Sequence, residues 1–155
     1  MQMLSKKSKY ALRALLALAR QRDHDPVQIA ELAEQEEIPK KFLEMILLEL
    51  KNTGILQSKK GKGGGYLLGK TPEGISLGDI IRALDGPLAP LPCVSQTAYR
   101  KCDECHDEAT CGIRAIMQEV RDATAHILDG TSLADVLRRT EQLTQQKKKV
   151  LVYAI

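Results

Sequence analysis

Four cysteines lie close together in the chain, and their spacing is the first feature that could support chemistry. Cys93, Cys102, Cys105 and Cys111 follow the pattern C-x8-C-x2-C-x5-C. Thiolates are soft ligands that suit iron–sulfur clusters and zinc, so this segment could enclose either metal site. Zinc ribbons usually contain two close cysteine pairs, whereas only Cys102 and Cys105 are close here. The four thiols could also undergo oxidation or remain unliganded.

The surroundings of these cysteines argue against catalysis by a thiol. No strand–helix–strand pattern surrounds Cys102 and Cys105, so a thioredoxin-like role is not supported. Four acidic neighbours would raise the thiol pKa values, because they disfavour the thiolate: Asp103, Glu104, Asp107 and Glu108. None of the three histidines pairs with an evident nucleophile or carboxylate dyad: His24, His106 and His126. The sequence therefore predicts that the protein is not an enzyme.

The composition describes a helical chain that is long enough to bury a hydrophobic core. It has 155 residues, 43% of them hydrophobic, with a single Phe and no Trp. No apolar run has the length of a membrane span and no signal-peptide pattern is present, so we expect a cytoplasmic protein that does not bind membranes. In that compartment four cysteines favour metal or redox chemistry over structural disulfides.

A stretch rich in glycine and lysine, KKGKGGGYLLGK at residues 59–70, indicates an anion-binding surface. Lys and Arg outnumber Asp and Glu 13 to 8 in residues 1–70, whereas acidic residues outnumber basic ones 12 to 10 in residues 71–155. A P-loop does not fit, because the residues before Lys70 read as a strand and Pro72 follows directly. Extended residues at 55–58 and 66–68 instead predict a β-hairpin.

Hydrophobic periodicity predicts three helices before this hairpin, at about 6–22, 27–35 and 40–52. The predicted inward residues of the first helix are Leu12, Leu15, Leu16 and Ala19, and those of the third are Leu43, Ile46, Leu47 and Leu50. A short helix, a turn, a second helix with a polar face and a basic hairpin follow one another in a winged helix-turn-helix. In such modules the second helix enters the major groove of DNA.

After the hairpin, Ser76 is predicted to cap a helix that ends near Asp85. A long helix follows at about 112–128, and its apolar residues recur at three- and four-residue steps. This seam suits pairing with a second copy, with packing inside one chain as the alternative: Ile113, Ile116 or Met117, Val120, Thr124 and Ile127. Another helix is predicted from Thr131 or Ser132, with Leu133, Val136, Leu137 and Leu143 inward. Residues 150–155 read as a strand or an extended docking segment.

Several of these motifs together resemble the Rrf2 (Rrf-two) regulators, the IscR, NsrR and CymR type. The matching stretches are Lys9-Tyr10-Ala11-Leu12, Phe42-Leu43-Glu44, the GGGYLLG sequence at 63–69, and Gly78-Asp79-Ile80-Ile81 followed by Leu84. The similarity covers nearly the whole chain, and the GGGYLLG stretch followed by GDII is specific.

The resemblance implies a mainly α fold, with a winged helix-turn-helix DNA-binding domain, a two-stranded wing and a long C-terminal dimerisation helix. We expect three parts: a DNA-binding domain at 1–86, a cysteine-containing sensor loop at 87–111, and the dimerisation helix, a further helix and a tail at 112–155. By position, the family's DNA contacts fall on Lys41, Glu44 and Lys60. Lys40, Lys62 and Gly64 complete the expected surface for a palindromic operator in double-stranded DNA.

In cluster-bearing members of the family three cysteines before the dimerisation helix hold the cluster, and Cys93, Cys105 and Cys111 match best by position. Some members add a histidine where this chain has Arg114, and others a carboxylate in the first helix, where it has Lys9. The fourth ligand would therefore be Cys102, or less favourably His106. We expect an all-cysteine iron–sulfur site, with zinc as the alternative, and a loop whose ordering by the cluster changes operator affinity.

The last residues suggest a second kind of control. Family members that regulate cysteine metabolism resemble this chain in ending with an aromatic-containing tail and a terminal isoleucine, here Tyr153-Ala154-Ile155. Those members are bound by cysteine synthase, which implies that this enzyme could bind the tail. In that alternative the cysteines hold zinc or act as thiol switches. The tail could instead only add to the fold or the dimer, and the whole chain could be a pure protein-interaction module.

Overall fold

The computed structural model describes residues 4–21 and 23–154 of the chain. It contains six α-helices and one antiparallel two-stranded sheet, in the order α1(Lys6–Ala19), α2(Ile29–Gln35), α3(Lys40–Asn52), β1(Leu56–Lys59), β2(Gly65–Leu68), α4(Leu77–Asp85), α5(Gly112–Asp129) and α6(Leu133–Tyr153). Short 3-10 turns lie at Pro72–Gly74, Pro92–Val94 and Glu108–Thr110. No helix in the described part of the chain is long and apolar enough to cross a membrane.

The first three helices enclose the core, and α3 supplies much of it. Leu43, Ile46, Leu47 and Leu50 are all fully buried, as their spacing predicts. Tyr10 of α1 packs edge-on against Phe42 of α3, with 5.5 Å between ring centroids. Lys7 of α1 also pairs with Glu49 of α3 at 3.0 Å. These contacts fix the orientation of α3 against the body of the domain.

The buried face of α1 differs from the predicted one. Its fully buried side chains include Ala11, Ala14 and Leu15, whereas Leu12 and Leu16 are only partly buried. Alanines occupy this face because α3 and α4 pack closely against it. The spacing of the leucines in the sequence does not show this packing between helices. The helix also ends at Ala19 rather than near residue 22, which lies outside the described residues.

Helix α2 starts two residues later than predicted, because Val27 belongs to a β-bridge. The Val27 N–H donates to the Tyr66 carbonyl, and the Val27 carbonyl accepts from the Tyr66 N–H, each at 2.9 Å. The wing strand β2 therefore pairs on one side with β1, from Leu56–Leu68 to Lys59–Gly65, and touches residue 27 on the other. This bridge ties the hairpin to the start of α2.

The C-terminal part returns to the same core through the first turn of α6. Leu77 N–H donates to the Thr131 carbonyl at 2.9 Å, and Leu133 N–H donates to the Ile75 carbonyl at 3.0 Å. The Leu133 side chain is fully buried in the core that α1 and α3 form. Ser132 caps α6 in a reciprocal arrangement with Asp135. The capped start of α6 is thus anchored on the N-terminal domain.

The predicted strand at the C-terminus is wrong, because α6 continues as a helix through Tyr153. Helix propagation is cooperative, and no Gly or Pro interrupts the chain after Leu133. The β-branched Val150 and Val152 therefore extend the helix instead of ending it. Leu143, a residue predicted to face inward, is 59% exposed because α6 has left the body of the protein at that point. Ile155 lies outside the described residues.

Candidate nucleic-acid interface and cysteine segment

The outer face of α3 is the first part of the candidate interface. Its buried stripe occupies the opposite side of the helix, so four side chains at i, i+3, i+4 and i+7 point to solvent together. We call them the α3 stripe: Lys41, Glu44, Met45 and Leu48. Lys40 is also exposed, at the first turn. A helix with this exposed face can enter a groove without disturbing the core.

The wing places two further lysines at the tip of its hairpin. Lys60 and Lys62 lie between β1 and β2, where both are exposed. Their ammonium groups lack a carboxylate partner within 4.0 Å among the ion pairs of the described residues. Cations held at a hairpin tip are suited to phosphate oxygens, which attract them without requiring a particular base.

Gly64 lies inside the hairpin, where it is buried. A Cβ added to this residue would lie 2.2 Å from the carbonyl oxygen of Lys59 and 2.9 Å from that of Gly61. Its own N–H donates to the Gly61 carbonyl at 3.0 Å. Glycine at this position therefore allows the tip to close, and contact of Gly64 with DNA stays a prediction.

In the cysteine segment, residues 87–111, the structure brings two of the four predicted ligands together. Cys93 is buried in the turn at Pro92–Val94, and Cys102 is exposed. Their Sγ atoms are 3.8 Å apart. Two thiolates that bind one tetrahedral ion at about 2.3 Å would have their sulfurs about 3.8 Å apart. The pair thus has the separation of one edge of a tetrahedral thiolate site.

Cys105 and Cys111 are half-buried and are not assembled with this pair into a complete ligand set. In residues 4–21 and 23–154 no group of three or more His, Cys, Asp or Glu side chains is arranged to hold a metal ion. Cys111 is the N-cap of α5, and its Sγ accepts from the Arg114 N–H at 3.4 Å. The donor chemistry therefore fits a thiolate-bound metal, while the positions of Cys105 and Cys111 do not complete the site.

The neighbouring thiols nevertheless affect Cys102. The contact with Cys93 is the largest effect that raises the pKa of Cys102, followed by burial and the charges of Cys93, Cys105 and Cys111. A negative charge on a neighbouring sulfur disfavours the Cys102 thiolate, since like charges repel. A bound cation removes this repulsion, so metal binding and loss of the thiol protons would be coupled.

Arg121, a residue of α5, connects that helix to the cysteine segment. The Arg121 Nη1 donates to the carbonyl of Val94, the residue that follows Cys93, at 2.6 Å. The Arg121 Nε donates to the Asp122 carboxylate at 2.8 Å. The side chain is only 13% exposed. A displacement of the turn that contains Cys93 would therefore act directly on α5.

The three isoleucines of the apolar seam predicted on α5 are exposed. Ile113, Ile116 and Ile127 are 69%, 54% and 65% exposed, while Met117, Val120 and Thr124 are half-buried. Exposure of three isoleucine side chains on one helix is unfavourable in water. Packing within one chain leaves Ile113, Ile116 and Ile127 exposed. Dimerisation through this seam therefore stays our prediction.

Sequence reasoning missed the apolar half of the α3 stripe and several long-range polar contacts. Met45 and Leu48 lie outside the buried period of α3, so the same helical periodicity could have identified them as exposed. The Arg121–Val94 contact and the Arg82–Asp129 ion pair have no local signal, because their partners are 27 and 47 residues apart.

Comparisons with known proteins agree with this geometry. A family model described as Rrf2, iron-dependent transcriptional regulator, matches residues 4–139. An rrf2-like HTH-type transcriptional regulator of Rhodobacter capsulatus is 46% identical over 138 residues, which are 87% of this chain and 92% of that protein. The structure of CymR, the global cysteine regulator of B. subtilis, has a TM-score of 0.71 and 32% identity, over 88% of this chain and 96% of that one. T. potens IscR has a TM-score of 0.72 and 26% identity, over 92% and 90%.

Proposed function

Because the chain belongs to the Rrf2 family of transcriptional regulators, we propose that it binds operator DNA as a homodimer and senses iron–sulfur or redox status through its cysteine segment. The predicted mainly α, winged-helix fold is confirmed by the CymR and IscR structures. The relatives are regulators and not enzymes, as the sequence predicts. The observation that carries the DNA-binding proposal is the joint exposure of the α3 stripe and the lysine-bearing wing tip.

In the proposed complex α3 enters the major groove and the wing follows the adjacent backbone. Lys40, Lys41, Lys60 and Lys62 neutralise phosphates, which supplies affinity without sequence information. Glu44 points to the groove floor, where a carboxylate can accept a hydrogen bond from the amino group of cytosine. Dimerisation through the exposed seam of α5 repeats this recognition on two half-sites, so a palindromic operator in the cytoplasm is expected.

The DNA-binding part is tested with the promoter of the chain's own operon. Fluorescence anisotropy compares a promoter duplex with an unrelated duplex of equal length at several salt concentrations. We expect selective binding of the promoter and a steep fall of affinity with salt, because several lysines displace counterions. Equal, weak binding of both duplexes would contradict the proposal.

The cysteine segment is the proposed sensing element, since it supplies four thiols next to the dimerisation helix. Cys93 and Cys102 are already at a ligand-like separation, and Cys105 and Cys111 would complete an all-cysteine site for an iron–sulfur cluster of undefined type. When bound, such a cluster supplies redox and oxygen sensitivity. The protein's own contribution is to transmit movement of the Cys93 turn through Val94 and Arg121 to α5.

Anaerobic isolation followed by iron, sulfide and zinc analysis tests this part. Stoichiometric iron and sulfide that disappear in Cys93→Ser and Cys102→Ser, but persist in His106→Ala, would support the all-cysteine site. Stoichiometric zinc without sulfide would favour the zinc alternative. A metal-free protein that still responds to its signal would contradict both.

A second candidate is control of sulfur metabolism through a partner enzyme, with the cysteines holding zinc or acting as thiol switches. It is favoured by the similarity to CymR, which is named as a global cysteine regulator, and by the C-terminal turn of α6. Tyr153 is 90% exposed there and Val152 is also exposed, so the end of α6 offers apolar surface to a partner. Loss of cysteine synthase binding in Tyr153→Ala, or after deletion of Ile155, would support this candidate. Unchanged binding in both variants would exclude the tail as the binding element.

A further inference from the structure

Two apolar side chains interrupt the otherwise polar outer face of α3. Met45 is 49% exposed and Leu48 is 52% exposed. Every other exposed large hydrophobic side chain in the described residues lies at Tyr99 or beyond, in the cysteine segment, α5 or α6. Within the described part of the winged-helix domain, these two residues therefore form its only large apolar contact with solvent.

The two side chains belong to the surface that carries the DNA-binding charges. Met45 follows Lys41 by one helical turn, and Leu48 follows Glu44 by one turn, so all four share the α3 stripe. Lys40 and Lys41 lie in the first turn of α3, at the N-terminal end of the same face. Because lysines begin the face that carries the apolar pair, a negatively charged DNA groove suits this face better than an apolar protein surface does.

Chemistry then limits what these residues can recognise. Neither side chain has a hydrogen-bond donor, and the methionine thioether is only a weak acceptor. Base edges in the major groove are recognised by hydrogen bonds, with one exception, the C5-methyl group of thymine, which makes apolar contacts. A flexible, polarisable methionine adapts well to such a methyl group, and a leucine beside it excludes water.

Resting on the proposed DNA-binding function, we propose that Met45 and Leu48 are specificity-determining residues that read thymine methyl groups in each operator half-site. The stripe then combines two kinds of recognition on one face: Glu44 accepts a hydrogen bond from a cytosine amino group, and the flanking apolar side chains contact thymines next to it. Lys60 and the other lysines hold the helix in register and contribute no base preference.

Replacement of thymine by deoxyuridine tests this proposal, because it removes one methyl group and leaves every hydrogen-bonding group in place. The operator is selected by the wild-type protein from a random duplex pool, and each half-site thymine is then replaced in turn. Burial of one methyl group corresponds to a roughly fourfold change in affinity per half-site. We expect this decrease at one or two positions in wild type and its disappearance in Met45→Ala or Leu48→Ala.

Lys60→Ala is the matched control, because removal of a phosphate-binding side chain from the wing weakens binding to the thymine and deoxyuridine operators by the same factor. Circular dichroism and sedimentation confirm that each variant is folded and dimeric. An operator whose methyl groups have no effect in wild type, or an effect that persists unchanged in both α3 variants, would overturn the proposal. Failure of the wild type to select any sequence would instead overturn the proposed function itself.

Discussion

The Arg82 guanidinium on α4 donates two hydrogen bonds to the Asp129 carboxylate on α5, at 2.7 and 2.8 Å. This pair joins the winged-helix domain to the helix proposed to dimerise. Hydrogen bonding between the two side chains raises the pKa of Arg82 and lowers that of Asp129. Gly78, in the first turn of α4, leaves room for the pair, since a Cβ there would lie 1.9 Å from the carboxylate oxygen.

This arrangement predicts that the effect of Gly78→Ala depends on Asp129. Alanine improves helix propensity by up to about 1 kcal/mol. In the wild-type background it also displaces the carboxylate and weakens a partly exposed ion pair that contributes at most about 1 kcal/mol. We expect little change or a decrease of stability in wild type, and a gain of ~0.5–1 kcal/mol in Asp129→Ala. Urea unfolding of the four proteins measures the difference, and an equal effect in both backgrounds would rule out the close contact.

A second polar contact predicts a pH dependence. The Asp85 carboxylate accepts from the Ser5 N–H at 3.3 Å, the Ser5 hydroxyl at 2.5 Å and the buried Ser8 hydroxyl at 2.7 Å. Burial opposes ionisation, but these hydrogen bonds together hold the pKa of Asp85 below its ordinary 3.8. A lowered pKa means that the unfolded chain binds more protons, so the contribution is present above about pH 4 and is lost as the pH falls through the folded-state pKa.

Asp85→Asn should therefore lower the free energy of unfolding by roughly 1–2 kcal/mol at pH 7. The difference from wild type should shrink as the pH falls from about 5 toward about 2. Chemical denaturation across this range measures both quantities, with Asp25→Asn as a control for the removal of one exposed negative charge. A constant difference between Asp85→Asn and wild type at every pH would contradict the assignment.

The sequence and the structure agree best where local signals decide the outcome. Pro39 before α3, Gly54 after it and the alternation of Leu43, Ile46, Leu47 and Leu50 predict the helix limits that the structure contains. The hairpin and the Ser76 cap also follow from local residue types. Predictions failed where contacts between distant residues, or the absence of such contacts, determine the structure. The alanine face of α1 and the helical C-terminus are the two examples. For the candidate site, exposure of Met45 is readable from periodicity, whereas the Cys93–Cys102 approach depends on loop packing.

The wing provides a prediction about salt dependence. Replacement of Lys60 by Ala should weaken operator binding and leave the fold unchanged, because this exposed side chain at the hairpin tip is not part of the core. With one phosphate contact per subunit, the slope of log affinity against log salt should become less steep by about 2 for the dimer. Lys147→Ala, at an exposed position of α6, should leave the slope as in wild type. Equal slopes for all three proteins would remove Lys60 from the interface.

The exposed seam of α5 predicts a change in oligomeric state. Ile116→Glu places a charge in the middle of the apolar stripe, where burial against a second copy would be strongly unfavourable. We expect analytical ultracentrifugation to show a folded monomer at concentrations at which wild type is a dimer. Gln146→Glu introduces the same charge into the polar part of α6 and should remain dimeric. A dimeric Ile116→Glu protein would place the interface elsewhere.

The most direct test of the proposed regulation is operator affinity measured before and after iron is removed from anaerobically isolated protein, at one fixed salt concentration. The cysteine segment contacts α5 through Arg121, and α5 is proposed to set the spacing of the two α3 helices. We therefore expect the affinity to change by at least about fivefold between the two forms, as is typical of coupled sites. Iron-loaded and iron-free protein that bind the operator equally well would contradict the proposed coupling.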